Sequence, residues 1–291
     1  MTLHQAPQIF DQRRKEAVWN RAFKHPATDK FLWQYMATDL AERLGSVQRD
    51  FRKILFIGPI GDFAAQILGS KQGECTFAAI CQADRDAAKL FGIEKILIDD
   101  SQMPFDPASY NLIISAGTLD STNDLPGSLI QLRRALVPDG LMLATLFAAG
   151  SLPALKSAML TADGSRTMAH IHPQIELKSA ADLLSRTGFA LPVADLDTLS
   201  VRYSNLFTLI DDLRQNGLSN KLAGSRSFLG KEFISRLQHA WTQKIDVDVK
   251  ITEQFAFIGL SGWVPSPDQP KPARRGSGKV SLADALKSPM M

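Results

Sequence analysis

Short apolar runs alternate with amphipathic stretches between residues 53 and 147. The stretch over residues 125–136, for example, places Leu125, Leu129 and Leu132 on one face, which is typical of a helix. Apolar runs separated by helices predict a parallel sheet that is buried on both faces and joined by right-handed crossovers. The five runs cover residues 54–57, 77–80, 96–98, 112–114 and 141–146.

The flanking regions predict further elements around this doubly wound α/β core. Residues 9–23 and 28–44 read as two helices that lie over the core, and residues 191–203 and 249–263 read as extended. Apolar residues occupy both faces of the last stretch, so we expect it to insert between other strands. Five parallel strands and two late ones predict a seven-stranded sheet. Additional helices are expected over residues 151–162, 179–187, 205–216 and 231–243.

These elements divide the chain into four expected segments. Residues 1–45 form a helical arm, 46–150 a Rossmann-like core, 151–264 the lid helices with the last two strands, and 265–291 a basic, proline-rich tail. The tail holds five of the 15 prolines. Its five Lys and Arg against two Asp account for the whole net charge of +3, so the folded body is formally neutral. A neutral body argues against a nucleic-acid partner.

Composition places the protein among ordinary globular chains. The hydrophobic share is 45% and the charged share 22%, and no apolar run has the length of a membrane span. The first 20 residues resemble neither a signal peptide nor a transit peptide, so a soluble cytoplasmic protein is expected. Cys75 and Cys81 would lie about 20 Å apart along a regular strand, which predicts two reduced thiols.

The turn after the first strand is a candidate ligand site. In a doubly wound sheet, ligands bind at the carboxyl ends of the strands near the point where strand order reverses, and the first strand-to-helix turn is usually its floor. Gly58 and Gly61 lie in this turn. Glycine lets the backbone approach a ligand closely. Two glycines could equally serve a tight turn and nothing else.

Features further along resemble the class I S-adenosylmethionine-dependent methyltransferases. Asp99, a Met103-Pro104-Phe105 turn, the strand 110–113 and a Pro-Asp-Gly turn at 138–140 follow in the family's order. The resemblance covers about residues 50–147. It implies a Rossmann-like methyltransferase sheet and an S-adenosylmethionine site at Gly58, Ile60, Gly61, Gln82, Asp99 and Met103.

A narrower resemblance extends from about residue 9 to residue 264. The stretches IFDQRRKEAVWNRAF, NDLPGSLIQLRRAL and DLRQNGLSN are similar to bacterial relatives of the methyltransferase-like assembly factor of respiratory complex I. They are more distantly similar to the malonyl-carrier-protein methyltransferase of biotin synthesis. This resemblance implies a small-molecule or protein acceptor, with a respiratory-complex subunit as one candidate partner.

The first cofactor motif departs from the family pattern. Phe56 stands at the acidic position, while Ile60 and Asp62 stand where the family has its second and third glycines. Cys81 or Gln82 replaces the acid that usually holds the ribose. Each lost charge-assisted hydrogen bond weakens binding roughly 10- to 150-fold, so the cofactor is expected to bind weakly or not at all unless Gln82 or other groups compensate. Asp62 is expected to cap the next helix.

Two further positions carry candidate chemistry. Asp120 replaces a histidine of the family's His-Trp pair, where it would act as a base or orient a nucleophile; the alternative is a solvated loop aspartate. His170 and His172 would share a face of an extended chain and supply two ligands to an iron site. No carboxylate partner can be assigned from the sequence, so no metal is expected.

Three functions remain open at this point. The first is methyl transfer from S-adenosylmethionine to an acceptor held under the arm and a lid over residues 148–178. The second is an eroded methyltransferase that works as an assembly factor by holding a partner. The third, implied by the resemblance alone, is hydroxylation of a protein arginine. The sequence favours the first.

Overall fold

The computed structural model describes residues 8–24, 30–90, 92–99, 102–164, 169–224, 230–243 and 250–269. The strands are β1 (Lys53–Ile57), β2 (Glu74–Ala79), β3 (Lys95–Leu97), β4 (Tyr110–Ala116), β5 (Leu136–Phe147), β6 (Ala190–Tyr203) and β7 (Ile251–Trp263). The helices are α1 (Gln12–Lys24), α2 (Phe31–Gly45), α3 (Ala64–Leu68), α4 (Gln82–Lys89), α5 (Leu125–Ala135), α6 (Pro153–Asp163), α7 (Leu177–Arg186), α8 (Leu206–Gln215) and α9 (Lys231–Thr242). Residues 270–291, most of the predicted tail, lie outside the described ranges.

The strands form one seven-stranded sheet in the order β3-β2-β1-β4-β5-β7-β6. The pairs from β3 to β5 are parallel, whereas β7 runs antiparallel to both β5 and β6. The predicted seven strands and the insertion of the last one are therefore confirmed. Residues 255–260 of β7 are all buried because both sheet faces are covered there.

Two apolar layers cover the sheet. On one face, α1 and α2 pack with α3, α6, α8 and α9; on the other, α5 and α7 pack against the same strands. Trp33 and Leu40 of α2 share a single cluster with Phe56 of β1 and Phe255 of β7. The division into four segments stays a prediction, and the structure adds that the arm helices complete the core of the sheet.

The beginning of the arm is held by hydrogen bonds to two distant loops. The side-chain oxygen of Asn123 accepts from the backbone N–H groups of Ile9 and Phe10, at 2.8 Å each. Asp11 N donates to Lys221 O at 2.9 Å, and Ala223 N donates to Ile9 O at 2.8 Å. The beginning of the arm is therefore fixed between the segment after β4 and residues 221–223.

Smaller sequence predictions also have outcomes in the structure. Both cysteines are free thiols, as predicted. Burial raises the pKa of Cys81 to about 11, and its sulfur accepts from Asp84 N at the start of α4. Trp19, Trp33 and Trp241 are buried packing residues. No helix in the described ranges combines the length and the apolar character that crossing a bilayer demands.

Candidate functional site

The order of the sheet reverses between β1 and β4, and this switch point is where a doubly wound fold binds its ligand. The residues after both strands meet closely there. Gly58 has φ 92° and ψ −168°, a conformation that is essentially restricted to glycine. A side-chain carbon at Gly58 would overlap the carbonyl oxygen of Ala116 and lie 3.0 Å from Cγ2 of Thr118. The predicted tight turn is thus sufficient to explain why glycine occupies position 58.

An indole from the arm fills the neighbouring space. A side-chain carbon at Gly117 would lie 2.5 Å from Cη2 of Trp33 and 3.3 Å from Cγ of Pro59. Trp33 is 1% exposed. Its ring centroid lies 5.8 Å from that of Trp19 and 6.2 Å from that of Phe147. The Trp33 indole therefore packs against the residues that follow β1 and β4, with two further aromatic rings behind it.

The substituted positions of the first motif lie inside the protein core. Phe56 and Ile60 are both 0% exposed. The Phe56 ring stacks on Phe77 of β2, with centroids 5.5 Å apart and planes at 17°. A side-chain carbon at Gly61 would lie 3.1 Å from the Phe77 ring. Where the family has an acid and a glycine, this chain therefore has apolar side chains that pack against protein.

Asp62 takes part in a charged network and does not cap a helix. The residue before α3 is Phe63, which makes no side-chain capping bond, so the predicted cap is wrong. Asp62 pairs with Lys30 at 2.7 Å and with Lys95 at 3.1 Å, and Lys95 also pairs with Asp84 at 2.6 Å. Burial disfavours the carboxylate of Asp62, but the two lysines outweigh burial and lower its pKa.

Protein groups also occupy the end of β2, where the family binds a ribose. Asn20 of α1 accepts from the backbone N–H of Ala83 at 2.8 Å. Asp84 accepts from Ile80 N at 3.3 Å. Gln82 is half-buried, and its amide donates to Asp86 at 2.6 Å. To replace the missing ribose-binding acid, Gln82 would therefore have to break its hydrogen bond with Asp86.

The two remaining predicted cofactor residues lie in a different setting. Asp99 is exposed, and its backbone oxygen accepts from Gln102 N at 3.0 Å. Met103 is half-buried against the apolar layer formed by α5 and α7, and its N–H donates to Gln131 at 2.9 Å. None of the six residues predicted to bind the cofactor lines the large cavity described next. The assignment of these six to a cofactor stays a prediction.

A cavity of about 500 Å³ lies beyond the ends of β4 and β5, between the arm and the lid. One wall comes from α1, including Arg14 and Val18, and another from α6, including Leu155 and Met159. Its volume falls within the usual range of small-molecule sites. Most of its other lining residues are apolar and include Phe147, Leu152, Ile171, Ile210, Leu213, Leu218, Ile234, Leu237 and Phe255.

Of the described residues that line this cavity, Asp120 is the one with a carboxylate. Its Oδ1 is buried, and within the described part of the chain no group donates a hydrogen bond to that oxygen. The residue as a whole is half-buried, and the alternative of a solvated loop aspartate stays a prediction. Burial raises the pKa of Asp120, and the charges of Lys221 and Lys15 oppose this shift. The catalytic role predicted for Asp120 stays untested.

The two histidines also line the cavity, but they face different partners. Nε2 of His170 lies 2.9 Å from Oδ1 of Asp163, and Nε2 of His172 accepts from Lys221 N at 2.9 Å. Since His172 accepts at Nε2, its proton is on Nδ1. Within the described ranges, no group of three His, Cys, Asp or Glu residues could hold a metal ion.

His172 should make stability depend on pH in the acidic range. Burial and the charges of Lys221 and Lys15 lower the pKa of His172 from 6.5 to about 3. Between these values the unfolded chain binds the additional proton, so stability falls on acidification by up to about 1.4 kcal/mol per pH unit. Urea unfolding of His172→Gln should give a flatter pH dependence, because glutamine keeps an acceptor for Lys221 N without a titrating ring. His239→Gln, at an exposed position of α9, is the matched control.

The lid is fixed to the sheet by a buried carboxylate. Glu253 of β7 is 0% exposed and accepts from the backbone N–H groups of Leu155 at 2.8 Å and Ala154 at 3.2 Å. These donors are at the beginning of α6, where a helix has free N–H groups. Lys156 contributes a favourable charge, although burial still raises the pKa of Glu253. The cavity wall formed by α6 is therefore anchored.

Sequence reasoning missed two buried lysines: Lys221, whose charge acts on Asp120, and Lys95, which pairs with Asp62. Lys221 is 0% exposed, and its Nζ lies 4.5 Å from the centroid of the Trp19 ring. Lys95 is buried at the beginning of β3. For Lys95 a usable signal was present, because a lysine directly precedes the predicted apolar strand 96–98. Nothing in the local sequence distinguishes Lys221 from a surface lysine.

The strand order and the antiparallel β7 define the class of fold, that of the S-adenosylmethionine-dependent methyltransferases. The YcgJ protein of Bacillus subtilis matches with a TM-score of 0.52 and 16% identity, covering 80% of this chain and 99% of that one. Phosphoethanolamine N-methyltransferase 2 of Haemonchus contortus, solved with S-adenosylhomocysteine, matches with a TM-score of 0.50 and 14% identity, covering 88% and 58%. At these identities the likeness concerns the fold.

Sequence comparison narrows the class to particular relatives. The mitochondrial arginine-hydroxylase NDUFAF5 of Rattus norvegicus is 29% identical over 296 residues, which cover 97% of this chain and 85% of the relative. Malonyl-[acyl-carrier protein] O-methyltransferase of Laribacter hongkongensis is 23% identical over 272 residues, covering 88% and 90%. No family model matches the chain. The chain is thus a homologue of these proteins, and the resemblance predicted from the sequence is confirmed.

Proposed function

We propose that this chain is a methyltransferase-fold binding protein that holds a partner molecule and transfers no methyl group. Of the three functions left open by the sequence, this is the second. The observation that carries it is the packing of the switch point, where Trp33, Phe56 and Ile60 occupy fully buried positions. The residues present do not fit S-adenosylmethionine, because the turn that would hold its methionyl part offers apolar side chains and no acid.

The charges near this turn support the same proposal. A sulfonium nucleoside with an ammonium group needs free carboxylates, and both candidates are already paired with lysine. Asp62 lies against Lys30 and Lys95, and Asp84 lies against Lys95. Breaking such a pair in order to bind a cation would leave a lysine without its partner, which is costly when that lysine is 3% exposed.

The cavity between the arm and the lid is the candidate binding site for this partner molecule. It has a ligand-sized volume, mostly apolar walls and one half-buried carboxylate, Asp120. It would take a small molecule or a single side chain of a larger partner. The resemblance to the complex I assembly factor favours a respiratory-complex subunit as that larger partner. The hydroxylase hypothesis stays a prediction.

Titration calorimetry with S-adenosylmethionine and S-adenosylhomocysteine tests this proposal. Loss of two charge-assisted hydrogen bonds moves a micromolar site to about the millimolar range, so we expect no saturable heat below about 1 mM for either compound. The malonyl-[acyl-carrier protein] O-methyltransferase of Laribacter hongkongensis, measured in the same buffer, is the positive control. Low-micromolar binding of S-adenosylmethionine that S-adenosylhomocysteine displaces would restore the transferase hypothesis.

A further inference from the structure

We infer that the cavity between the arm and the lid binds an aliphatic carboxylate, with the carboxylate group at the rim near Arg21 and Arg214 and the chain along the apolar walls. This inference deepens the proposed function and rests on it, since it takes this cavity, and not the switch point, as the binding site. Three features of the cavity lead to it: its apolar interior, the arginines at its rim and the small amount of negative charge that a ligand would meet.

The interior of the cavity selects an apolar ligand body. Leu155 of α6, Leu237 of α9 and Phe255 of β7 line it and are 2%, 1% and 0% exposed. Burying methylene groups against such side chains removes apolar surface from water, which is the main source of affinity for an aliphatic chain. The volume of about 500 Å³ lies within the usual range of small-molecule sites.

The rim of the cavity carries two exposed arginines. The residues of α1 that line the cavity follow the spacing of one helical face and are Arg14, Ala17, Val18 and Arg21. Ala17 and Arg21 are exposed whereas Val18 is buried, so Arg21 lies where the cavity meets solvent. Arg214, in the last turn of α8, also lines the cavity and is exposed. A ligand that extends from the interior to solvent therefore ends beside guanidinium groups.

Both rim arginines are available to an anion. Within the described part of the chain, no carboxylate pairs with Arg21. Arg214 pairs with Asp211 at 3.1 Å, but both side chains are 58% exposed, and an exposed pair of this kind is weak. The guanidinium of Arg14 donates to two backbone carbonyl groups, which leave its positive charge at the cavity.

A ligand in the cavity would meet little negative charge. Of the described lining residues, Asp120 is the one with a carboxylate, and its buried Oδ1 offers no contact to a ligand. Lys15 and Lys221 are buried, and their charges act on Asp120. Asp163 does not line the cavity and lies 2.9 Å from Nε2 of His170. The arginines therefore dominate the accessible charge, which favours an anion over an alkylammonium ion.

A carboxylate suits these arginines better than other polar end groups on an aliphatic chain. A guanidinium group binds a carboxylate through two parallel charge-assisted hydrogen bonds. A hydroxyl group lacks the charge. A phosphate monoester would carry a charge of about −1.5 to −2 at neutral pH, and Asp211 at the rim would oppose the additional negative charge.

Titration calorimetry of the full-length protein with four eight-carbon probes tests this inference, at concentrations where each probe is monomeric. We expect octanoate to bind saturably with a Kd below about 1 mM. Octylamine should bind at least about tenfold more weakly, because its charge is repelled by the rim arginines. 1-Octanol and octyl phosphate should each bind more weakly than octanoate.

Substitutions at the rim test recognition of the carboxylate separately from binding of the chain. The double variant Arg21→Gln with Arg214→Gln should weaken octanoate binding roughly tenfold or more and leave 1-octanol binding unchanged, because the alcohol does not depend on the two charges. Arg13→Gln, at an exposed position of α1 outside the cavity, is the matched control and should change neither affinity. Met159→Trp narrows the apolar interior and should weaken both probes. Thermal unfolding of every variant verifies that it is folded.

Four outcomes would overturn the inference. They are no saturable binding of octanoate, any other probe binding as tightly as octanoate, an unchanged octanoate affinity in the double arginine variant, and an unchanged octanoate affinity in Met159→Trp. Tight S-adenosylmethionine binding would instead overturn the proposed function, and the two titrations report independently on the same preparation.

Discussion

Replacing Lys95 by methionine should destabilise the fold by about 3–5 kcal/mol, because it leaves a carboxylate buried without its partner. Asp84 is 1% exposed and lies 2.6 Å from Lys95 Nζ. Methionine has a similar length but no charge. Burial disfavours the ammonium of Lys95, yet Asp84 and Asp62 outweigh burial and raise its pKa above 10.5. A raised lysine pKa means that the contribution is present at neutral pH and is lost only as strongly alkaline solution deprotonates the folded protein.

Urea unfolding at neutral pH measures this effect, and Lys30→Met is the matched control. Lys30 pairs with Asp62 at 2.7 Å, but both side chains are about one-third exposed, at 33% and 35%. An exposed pair of this kind contributes less than about 1 kcal/mol. The double variant Lys95→Met with Asp84→Leu should recover most of the loss, because it removes the unpaired carboxylate. Equal losses in the two single variants would mean that Lys95 and Asp84 are hydrated.

Replacing Gly58 by alanine should cost about 4 kcal/mol of unfolding free energy. Two terms add: about 1–3 kcal/mol for a non-glycine residue at φ 92° and ψ −168°, and about 1–3 kcal/mol for overpacking. The overpacking arises because the new methyl group would meet the Ala116 carbonyl oxygen, which belongs to the backbone and cannot rotate away. In a methyltransferase with an open cofactor site, the same change would act mainly on cofactor binding.

Gly69→Ala measures the free-energy cost of placing alanine at a positive φ without the cost of overpacking. Gly69 also has a positive φ, of 57°, but a side-chain carbon there would meet nothing within 4 Å. We expect a loss of about 1–3 kcal/mol for this variant, from its unfavourable backbone conformation alone, so the additional loss in Gly58→Ala reports the contact between the ends of β1 and β4. If both variants lost the same free energy in urea unfolding, the switch point would be open, and a ligand could enter it.

The turn after β1 shows why a family resemblance was an incomplete guide to the site. The pattern of the first motif correctly indicated that an acid and two glycines are missing, and it correctly located the turn after β1. It carried no information about which distant side chains pack against the substituted positions. Trp33 comes from a helix more than 20 residues earlier in the chain, and Lys95 comes from a strand more than 30 residues later. Their arrival at this turn depends on how α2 and β3 pack, which periodicity does not encode.

Asp120 illustrates the same limit at the cavity. Its position after β4, where the family has a histidine, was visible in the sequence. The burial of its Oδ1 was not, because the cavity beside it is enclosed by long-range contacts, among them those of the arm with residues 221–223 and of Glu253 with α6. Each of these contacts joins parts of the chain that are about 100 or more residues apart. From the sequence alone, a short segment such as 118–122 is expected to be solvated, because the contacts that enclose it come from distant parts of the chain.

The sequence alone determined the order of strands and helices, the insertion of β7 and the methyltransferase class of fold, because these follow from local apolar periodicity and from motifs read in order. Only the tertiary structure decided that the switch point is packed by Trp33, Phe56 and Ile60 and that the open volume lies beside Asp120. The physical reason is that a cavity is the space left between elements, and its size and charge depend on side chains that long-range packing brings together.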